Sequence, residues 1–353
     1  MKIIRLATFL DFGGVERRLE IISHICDEHE WVFCAINKGG TAEDYIRKQG
    51  KRVVCFRLSY KIPSILTLYK LYKFYKKEKP DVVHTSGAEA NFHGVLAAKL
   101  AGVPVVVSEE IGIPSQGRMA KRIFSFIYAL SDYVVGNSEP VIKYLQKENG
   151  VTSKKTVRIP NPMLFKPVSL RIENEDDVFR IVSVSRLEPV KNLESVLRVV
   201  AQLISEGFTI QYTIVGDGSH ISELKALASS LGLEEKVVFA GYQNNPLPYL
   251  QAADLYVLTS FTEGFSNSLA EAMYSGTPSL STKVGAAEEI ISDSKNGWLV
   301  QPDDDSDLKQ KIKTIIGIGK EERNQIGQIG KQTITENYSL EKHAGLLMQV
   351  YQK

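Results

Sequence analysis

Residues 179–207 read FRIVSVSRLEPVKNLESVLRVVAQLISEG, and the order of features in this stretch points to the fold. FRIVSVS is a short, β-branched and nearly continuous apolar run, as a strand buried on both faces requires. Beyond a polar turn, Leu193, Val196, Leu197, Val200, Leu203 and Ile204 recur at spacings of three and four, one stripe of a helix that begins just after Lys191. Strand, turn and helix in this order form the repeating unit of a parallel sheet covered by helices.

The unit recurs in both directions. Before it come the runs IIRLATF, WVFCAI, RVVCF, DVVHT, VPVVVS and DYVVGN; after it come QYTIVG, KVVFAG, DLYVLTS and TPSLST. The pattern predicts an α/β fold of two Rossmann-like, doubly wound domains facing across a cleft. Pro160, Pro162 and Pro167 interrupt regular structure in IPNPMLFKP, and the acidic ENEDD follows. The predicted domains are therefore 1–163 and 164–335, with a last helical segment, 336–353, whose Leu340, Ala344, Leu347 and Val350 share one side.

With 43% hydrophobic and 24% charged residues, the 353-residue chain can bury two sizeable cores, and disorder is not expected. Cys26, Cys34 and Cys55 form no CxxC pair and read as reduced, core-filling thiols of a cytoplasmic protein. The opening MKIIRLATFLDFGG has too short an apolar stretch for a signal peptide, and no run approaches the roughly 20 apolar residues of a membrane span. The net charge of +2 conceals a basic residue set 1–160, at +9, and an acidic set 161–353, at −7. The basic half suits an anionic surface or substrate as well as plain solvation; no nucleic-acid partner is expected.

Ligands of parallel sheets bind beyond the carboxyl ends of the strands. There, Arg186 and Lys191 share one strand-to-helix turn beside a helix N-terminus, which suits a diphosphate; two solvated loop cations are the plain alternative. After DLYVLTS comes SFTEGFSNSLAEAMYSGTP, where Ser266 or Asn267 would cap a helix. Glu263 lies in the loop and Glu271 on that otherwise small and apolar helix. A carboxylate there is costly unless donors reach it, and a ribose diol supplies two; a structural Arg partner is the alternative. The amides of residues 265 to 268 could hold a phosphate or sugar oxygen. Gly216-Asp217-Gly218, followed by Ser219, His220 and Ile221, does not complete a GxGxxG dinucleotide motif.

Glu263-Gly264-Phe265 through Glu271-Ala272-Met273, with SRLEPVKN upstream and GAAEEI downstream, resembles the E-x7-E signature of retaining GT-B glycosyltransferases of glycosyltransferase family 4. Gly13-Gly14, DVVHT around His84, KLAGVPVVVS, VGNS around Ser138, IPNP around Asn161 and GDG at 216–218 agree in order, so the likeness spans nearly the whole chain. It implies transfer of a hexosyl or N-acetylhexosaminyl group from a nucleotide-sugar, UDP-linked in preference to GDP-linked, to a glycan or lipid-linked acceptor in bacterial-type surface polysaccharide synthesis. It implies no cofactor and no metal.

The implied roles are specific. Arg186 and Lys191 would neutralise the donor diphosphate, Glu263 would contact the transferred sugar and Glu271 the ribose. Gly264, Phe265, Ser266, Asn267 and Ser268 would bind sugar and phosphate. Gly241, Tyr242 and Gln243 would lie along the base, and Gly13 and Gly14 would let the backbone approach the donor. The last helix would cross back to the first domain. One departure stands out: where many relatives carry a His after the strand equivalent to VPVVVS, this chain reads SEEIG. Glu110 then becomes a catalytic candidate, against a surface or interdomain carboxylate. His84 could face the acceptor or be a hydrogen-bonded structural histidine.

The stretch YKIPSILTLYKLYKFYKKEKP combines Leu66, Leu68, Tyr69, Tyr72 and Tyr75 with Lys70, Lys73, Lys76, Lys77 and Lys79. It reads first as a sheet-covering helix with solvated lysines, and second as a helix for the anionic inner face of the plasma membrane. Arg118, Lys121 and Arg122 add to the basic count. Asp303-Asp304-Asp305 reads as solvated surface. A nucleotide-sugar epimerase of related fold and a non-catalytic membrane-associated binding protein are the competing functions.

Overall fold

A computed structural model describes residues 1–11, 13–114, 117–165 and 176–352. The chain divides into two compact units, Met1–Leu164 with Tyr338–Lys353, and Phe165–Asn337. Each is a parallel sheet with alternating helices, the GT-B α/β architecture.

The first unit runs β1 (Lys2–Ala7), α1 (Gly14–Ile22), β2 (Glu30–Ala35), α2 (Thr41–Lys48), β3 (Arg52–Cys55), α3 (Ile65–Glu78), β4 (Val82–Ser86), α4 (Ala88–Ala101), β5 (Val105–Glu110), α5 (Arg118–Leu130), β6 (Tyr133–Gly136), α6 (Glu139–Asn149) and β7 (Thr156–Arg158). Its strands lie in the order β3-β2-β1-β4-β5-β6-β7. Successive strand residues point to opposite faces and feed separate cores. Ile3, Phe33, Val82 and Val107 meet Leu19, Ile22 and Ile46 on one face, whereas Ile4, Val32, Val83 and Val106 meet Leu71, Tyr75 and Val95 on the other.

The second unit runs β8 (Phe179–Val184), α7 (Leu193–Ser205), β9 (Ile210–Val215), α8 (Ile221–Ser230), β10 (Val237–Gly241), α9 (Leu247–Ala252), β11 (Leu255–Leu258), α10 (Asn267–Tyr274), β12 (Ser279–Thr282), α11 (Ala287–Ile290), β13 (Trp298–Val300), α12 (Asp305–Gly317) and α13 (Lys320–Asn337). Strand order is β10-β9-β8-β11-β12-β13. Val196, Leu197, Val200 and Leu203 of the α7 stripe are fully buried. The last helix, α14 (Leu340–Tyr351), places Leu347, Val350 and Tyr351 in the same core as Ile3 and Phe33 of the first unit.

Several local expectations need correction. Cys34 fills the core, but Cys26 is exposed. The Asp303-Asp304-Asp305 stretch does lie at the surface, with Asp303 and Asp304 exposed, and it has a local task there: Asp304 caps α12 by accepting from the Asp307 amide at 2.9 Å, and Asp305 pairs with Arg198 at 2.7 Å. The side of α3 turned to the sheet is Thr67, Leu71 and Tyr75, which leaves Leu66 and Tyr69 exposed. The strands β7 and β13, three residues each, have no counterpart in the predicted runs. Among the described residues no helix is long and apolar enough to cross a membrane.

Candidate active site

In the second sheet the strand order reverses between β8 and β11, since the chain winds outward from β8 to β10 and then returns to β8's other side. Loops leaving two such strands become neighbours at their carboxyl ends. That topology explains why the β8 turn and the β11 loop meet, 72 residues apart in sequence. Lys191 Nζ lies 2.5 Å from Glu263 Oε1, and the Ser260 hydroxyl donates to the same oxygen at 2.7 Å. The Thr259 hydroxyl also donates to the carbonyls of Lys191 and Asn192, at 3.1 and 2.9 Å. Turn and loop are thus tied together by main chain as well as by charge.

Both segments have glycine-dependent supports. Gly216 adopts φ 141°, and a Cβ there would stand 1.8 Å from the Ser185 carbonyl oxygen, so the β9 loop can press against the Arg186 turn only without a side chain. Gly285, at φ 55°, would bring a Cβ to 2.5 Å from the Glu263 carbonyl oxygen. The Ala286 amide donates to the Gly264 carbonyl at 2.9 Å, which fixes the loop from that side.

Arg186 is exposed in its turn, and Lys191 ends a short 3-10 turn directly before α7. The helix α10 begins where its capping residues require. Ser266 accepts from the Leu269 amide at 3.3 Å, and the Tyr256 hydroxyl donates to Ser268 at 2.8 Å. Phe265 is buried, while Asn267 and Glu271 are half-buried. Gly241 ends β10, Tyr242 is exposed, and the Gln243 amide donates to the Ala240 carbonyl at 2.8 Å. The structure therefore brings Lys191 and Glu263 into contact and sets Arg186 in the adjoining turn.

In the first unit, Gly13 caps α1 in extended backbone and Gly14 has open space where a Cβ would stand. The carboxylates of SEEIG separate onto different surroundings. Glu109 is fully buried, 3.0 Å from Arg5 Nη2, ion-paired also with Arg18, and it accepts from the Ser86 hydroxyl at 2.6 Å. Burial pushes its pKa up, but Arg18, His84 and Arg5 prevail and hold it well below the ordinary carboxylate range. Glu110 instead accepts from the Tyr128 hydroxyl at 2.7 Å and the Asn91 amide at 2.8 Å. Burial dominates there, and with the help of nearby Glu109 and Glu89 it lifts Glu110 to about 7.

His84 belongs to the Glu109 group. It is fully buried, with Nδ1 2.6 Å from the Tyr351 hydroxyl and Nε2 3.5 Å from Glu109. Burial, then Arg5, press its pKa down to about 4, so it is neutral near pH 7. Its place is the core between sheet and α14, not a surface at the strand ends. Arg5, Arg18 and Tyr351 are the functional-looking residues that the sequence reading passed over. The one trace they leave in sequence is an arginine inside the apolar run IIRLATF. Among the described residues no cluster of His, Cys, Asp and Glu could hold a metal ion.

Residues 12–163 match the family described as Glycosyltransferase Family 4, and residues 168–333 match that described as Glycosyl transferases group 1. Over 200 residues the chain is 30% identical to an N-acetylgalactosamine-N,N'-diacetylbacillosaminyl-diphospho-undecaprenol 4-alpha-N-acetylgalactosaminyltransferase of Campylobacter jejuni, covering 56% of this chain and 54% of that one. The chain thus spans about half the length of this relative. Over 285 residues it is 26% identical to a UDP-Gal:alpha-D-GlcNAc-diphosphoundecaprenol alpha-1,3-galactosyltransferase of Escherichia coli, covering 74% of this chain and 73% of that one. The crystal structure of Anabaena HepE in complex with UDP superposes with a TM-score of 0.87 at 20% identity over 100% of both chains, a likeness of fold. With the two family matches running in order from residue 12 to residue 333 on a two-sheet parallel fold, the chain is a glycosyltransferase of the GT-B, family-4-like type.

Proposed function

We propose that this glycosyltransferase moves a hexosyl or N-acetylhexosaminyl group from a UDP-sugar to a lipid-linked glycan, with retention of anomeric configuration and without a metal. The observation that carries the reading is the meeting of the Arg186–Lys191 turn with the Glu263 loop at the strand-order reversal. Arg186 and Lys191 stand where a diphosphate would lie, next to the first turns of α7 and α10. Glu263, already positioned by Lys191 and Ser260, would accept from sugar hydroxyls, and Glu271 from the ribose. Gly264 to Ser268 would line sugar and phosphate, and Gly241 to Gln243 the base.

In the transfer, the bond between the anomeric carbon and the β-phosphate oxygen breaks and a bond to the acceptor oxygen forms on the same face. The acceptor's proton passes to the departing phosphate oxygen, so UDP leaves with the electron pair. Charge develops on the diphosphate, and preorganised cations aimed at it are worth on the order of 3–4 kcal/mol each in such settings. Both undecaprenol-diphosphate-dependent relatives and the UDP-bound fold neighbour favour this donor and acceptor class. The test is a screen of UDP-, GDP- and ADP-sugars for release of the nucleoside diphosphate. One UDP-sugar should be turned over, with the rate unchanged by excess EDTA; turnover of none of them, or loss of turnover with EDTA, overturns the reading.

The first unit also suits a lipid surface. Ile65 and Leu66 of α3 are 82% and 59% exposed, and Met119 and Phe126 of α5 are 77% and 59% exposed. Both helices are rich in Lys and Arg, and α4 packs against each of them. Apolar tips among cations are the features of an interfacial helix on anionic lipid. Vesicles of phosphatidylglycerol should retain the protein in flotation, and the double variant Ile65→Asp, Met119→Asp should release it. Equal retention by purely zwitterionic vesicles, or by the variant, would count against a membrane role.

A further inference from the structure

The turn that carries Arg186 is held by the loop that follows β9, residues 216–220. Leu187, buried in the core of the second unit, is the pivot: its amide donates to the Asp217 carbonyl at 2.9 Å, and its carbonyl accepts from the His220 amide at 2.9 Å. The Glu188 amide closes back on the Arg186 carbonyl at 3.0 Å, so Arg186 stands at the head of a tight turn. Gly218 permits the approach, since a Cβ there would lie 2.3 Å from the Leu187 carbonyl oxygen. The backbone that aims Arg186 is therefore fixed from a second loop.

One side chain of the turn fastens that loop in return. Glu188 Oε1 accepts from the Ser219 amide at 3.3 Å, and Oε2 accepts from the Ser219 hydroxyl at 2.7 Å. These bonds, the hydroxyl first and then the amide, lower the Glu188 pKa, and Arg186 and His220 are close enough to lower it further. Next in the loop, His220 Nε2 lies 2.5 Å from Glu194 Oε1 in the first turn of α7. Loop 216–220 is thus tied to the segment on both sides of Lys191, by Glu188 before it and by Glu194 after it.

Charge alone argues against a glutamate at position 188. An ionised carboxylate two residues from Arg186 repels the diphosphate that Arg186 and Lys191 attract. Its two acceptor oxygens, however, match the two donors of one serine, and bonds to an ionised acceptor are stronger than bonds between neutral groups. A small or apolar side chain at 188 would relieve the repulsion and leave the loop untied. Arg186 is exposed, so its aim depends on the backbone beneath it. We propose that Glu188, through its hold on Ser219, is a positioning residue that sets Arg186 for the donor diphosphate. The assignment rests on the donor reading above and adds a residue that acts through Arg186 without touching the substrate.

The test is calorimetric binding of UDP to the full chain and to Glu188→Ala, Glu188→Gln, Arg186→Ala and the double variant Arg186→Ala, Glu188→Ala. Glu188→Ala should weaken UDP binding by about fivefold or more although a negative charge has been removed, and Glu188→Gln, which keeps an acceptor for Ser219, should stay within about twofold of the parent. In the Arg186→Ala background, adding Glu188→Ala should change the affinity by less than about twofold, because a residue that acts through Arg186 has nothing left to position. A glutamate that served only the fold would weaken binding by the same factor in both backgrounds. Unchanged or tighter binding by Glu188→Ala, a Glu188→Gln variant as weak as the alanine one, or equal losses in the two backgrounds overturns the proposal. Failure of the parent to bind UDP, or parent-like binding by Arg186→Ala, would instead strike the donor reading, and the task of Glu188 with it.

Discussion

In the first unit Glu109 is fully buried between Arg5 and Arg18, whereas in the second Lys191 and Glu263 meet at 2.5 Å with side chains 16% and 13% exposed, beside the exposed Arg186. Both are ion pairs near strands of a parallel sheet, yet their work differs. The first is out of reach of any ligand and ties β1, α1, β4, β5 and, through Tyr351, α14 into one core. The second holds two surface segments in register and keeps its charges within reach of a substrate. A charge cluster can therefore be a structural tie or a site, and exposure tells them apart where residue type does not.

The contrast is broken most easily at Glu109. Glu109→Ala leaves two guanidinium groups buried without their carboxylate and should destabilise the fold by about 3–5 kcal/mol in chemical denaturation. A loss below about 1 kcal/mol would mean that the cluster is not the tie described.

A smaller effect is expected next door at Glu110. Its folded pKa, lifted to about 7, lies above the ordinary 4.5, so its favourable contribution is complete below pH 4.5 and disappears as pH rises through 7. Tyr128 and Tyr144, with Glu109 and Glu89, are the titratable groups around it, and none of them supplies a compensating positive charge. Glu110→Gln should thus gain stability relative to the parent between pH 5 and pH 8.5, by at most about 3 kcal/mol. A difference that is flat with pH, or that runs the other way, would show Glu110 to be an ordinary carboxylate.

The smallest change belongs to the second unit. Lys191→Gln removes a partly exposed pair and should cost under about 1 kcal/mol in denaturation, although transfer should fall steeply. A stability loss as large as that of Glu109→Ala would make Lys191 a structural residue and erase the distinction between the regions.

What sequence made legible follows the same division. The β8 turn, the start of α7 after Lys191 and the Ser266 cap of α10 are local, written in stripe spacing and capping chemistry within a few residues. The Lys191–Glu263 contact needs the strand-order reversal, which no short window contains. The Glu109 cluster was illegible for a stronger reason: Arg5 lies 104 residues away, and two adjacent glutamates at a strand end look alike until the alternation of faces sends one to the arginines and the other to Asn91 and Tyr128. On α3 the lysines hid a different distinction, because Leu66 and Tyr69 continue an apolar pattern that the narrow buried stripe of Leu71 and Tyr75 does not use.

The most direct measurement is nucleoside diphosphate release and sugar transfer from the UDP-sugar selected in the donor screen, by the parent chain and by Arg186→Ala and Glu263→Ala. Arg186→Ala should keep the parent's melting temperature, since Arg186 is exposed, Glu263→Ala should stay folded with the small loss expected of the Lys191 pair, and each should lose at least a hundredfold in turnover. Parent-like turnover in both variants would contradict the assignment of the donor site to the β8 turn and the β11 loop.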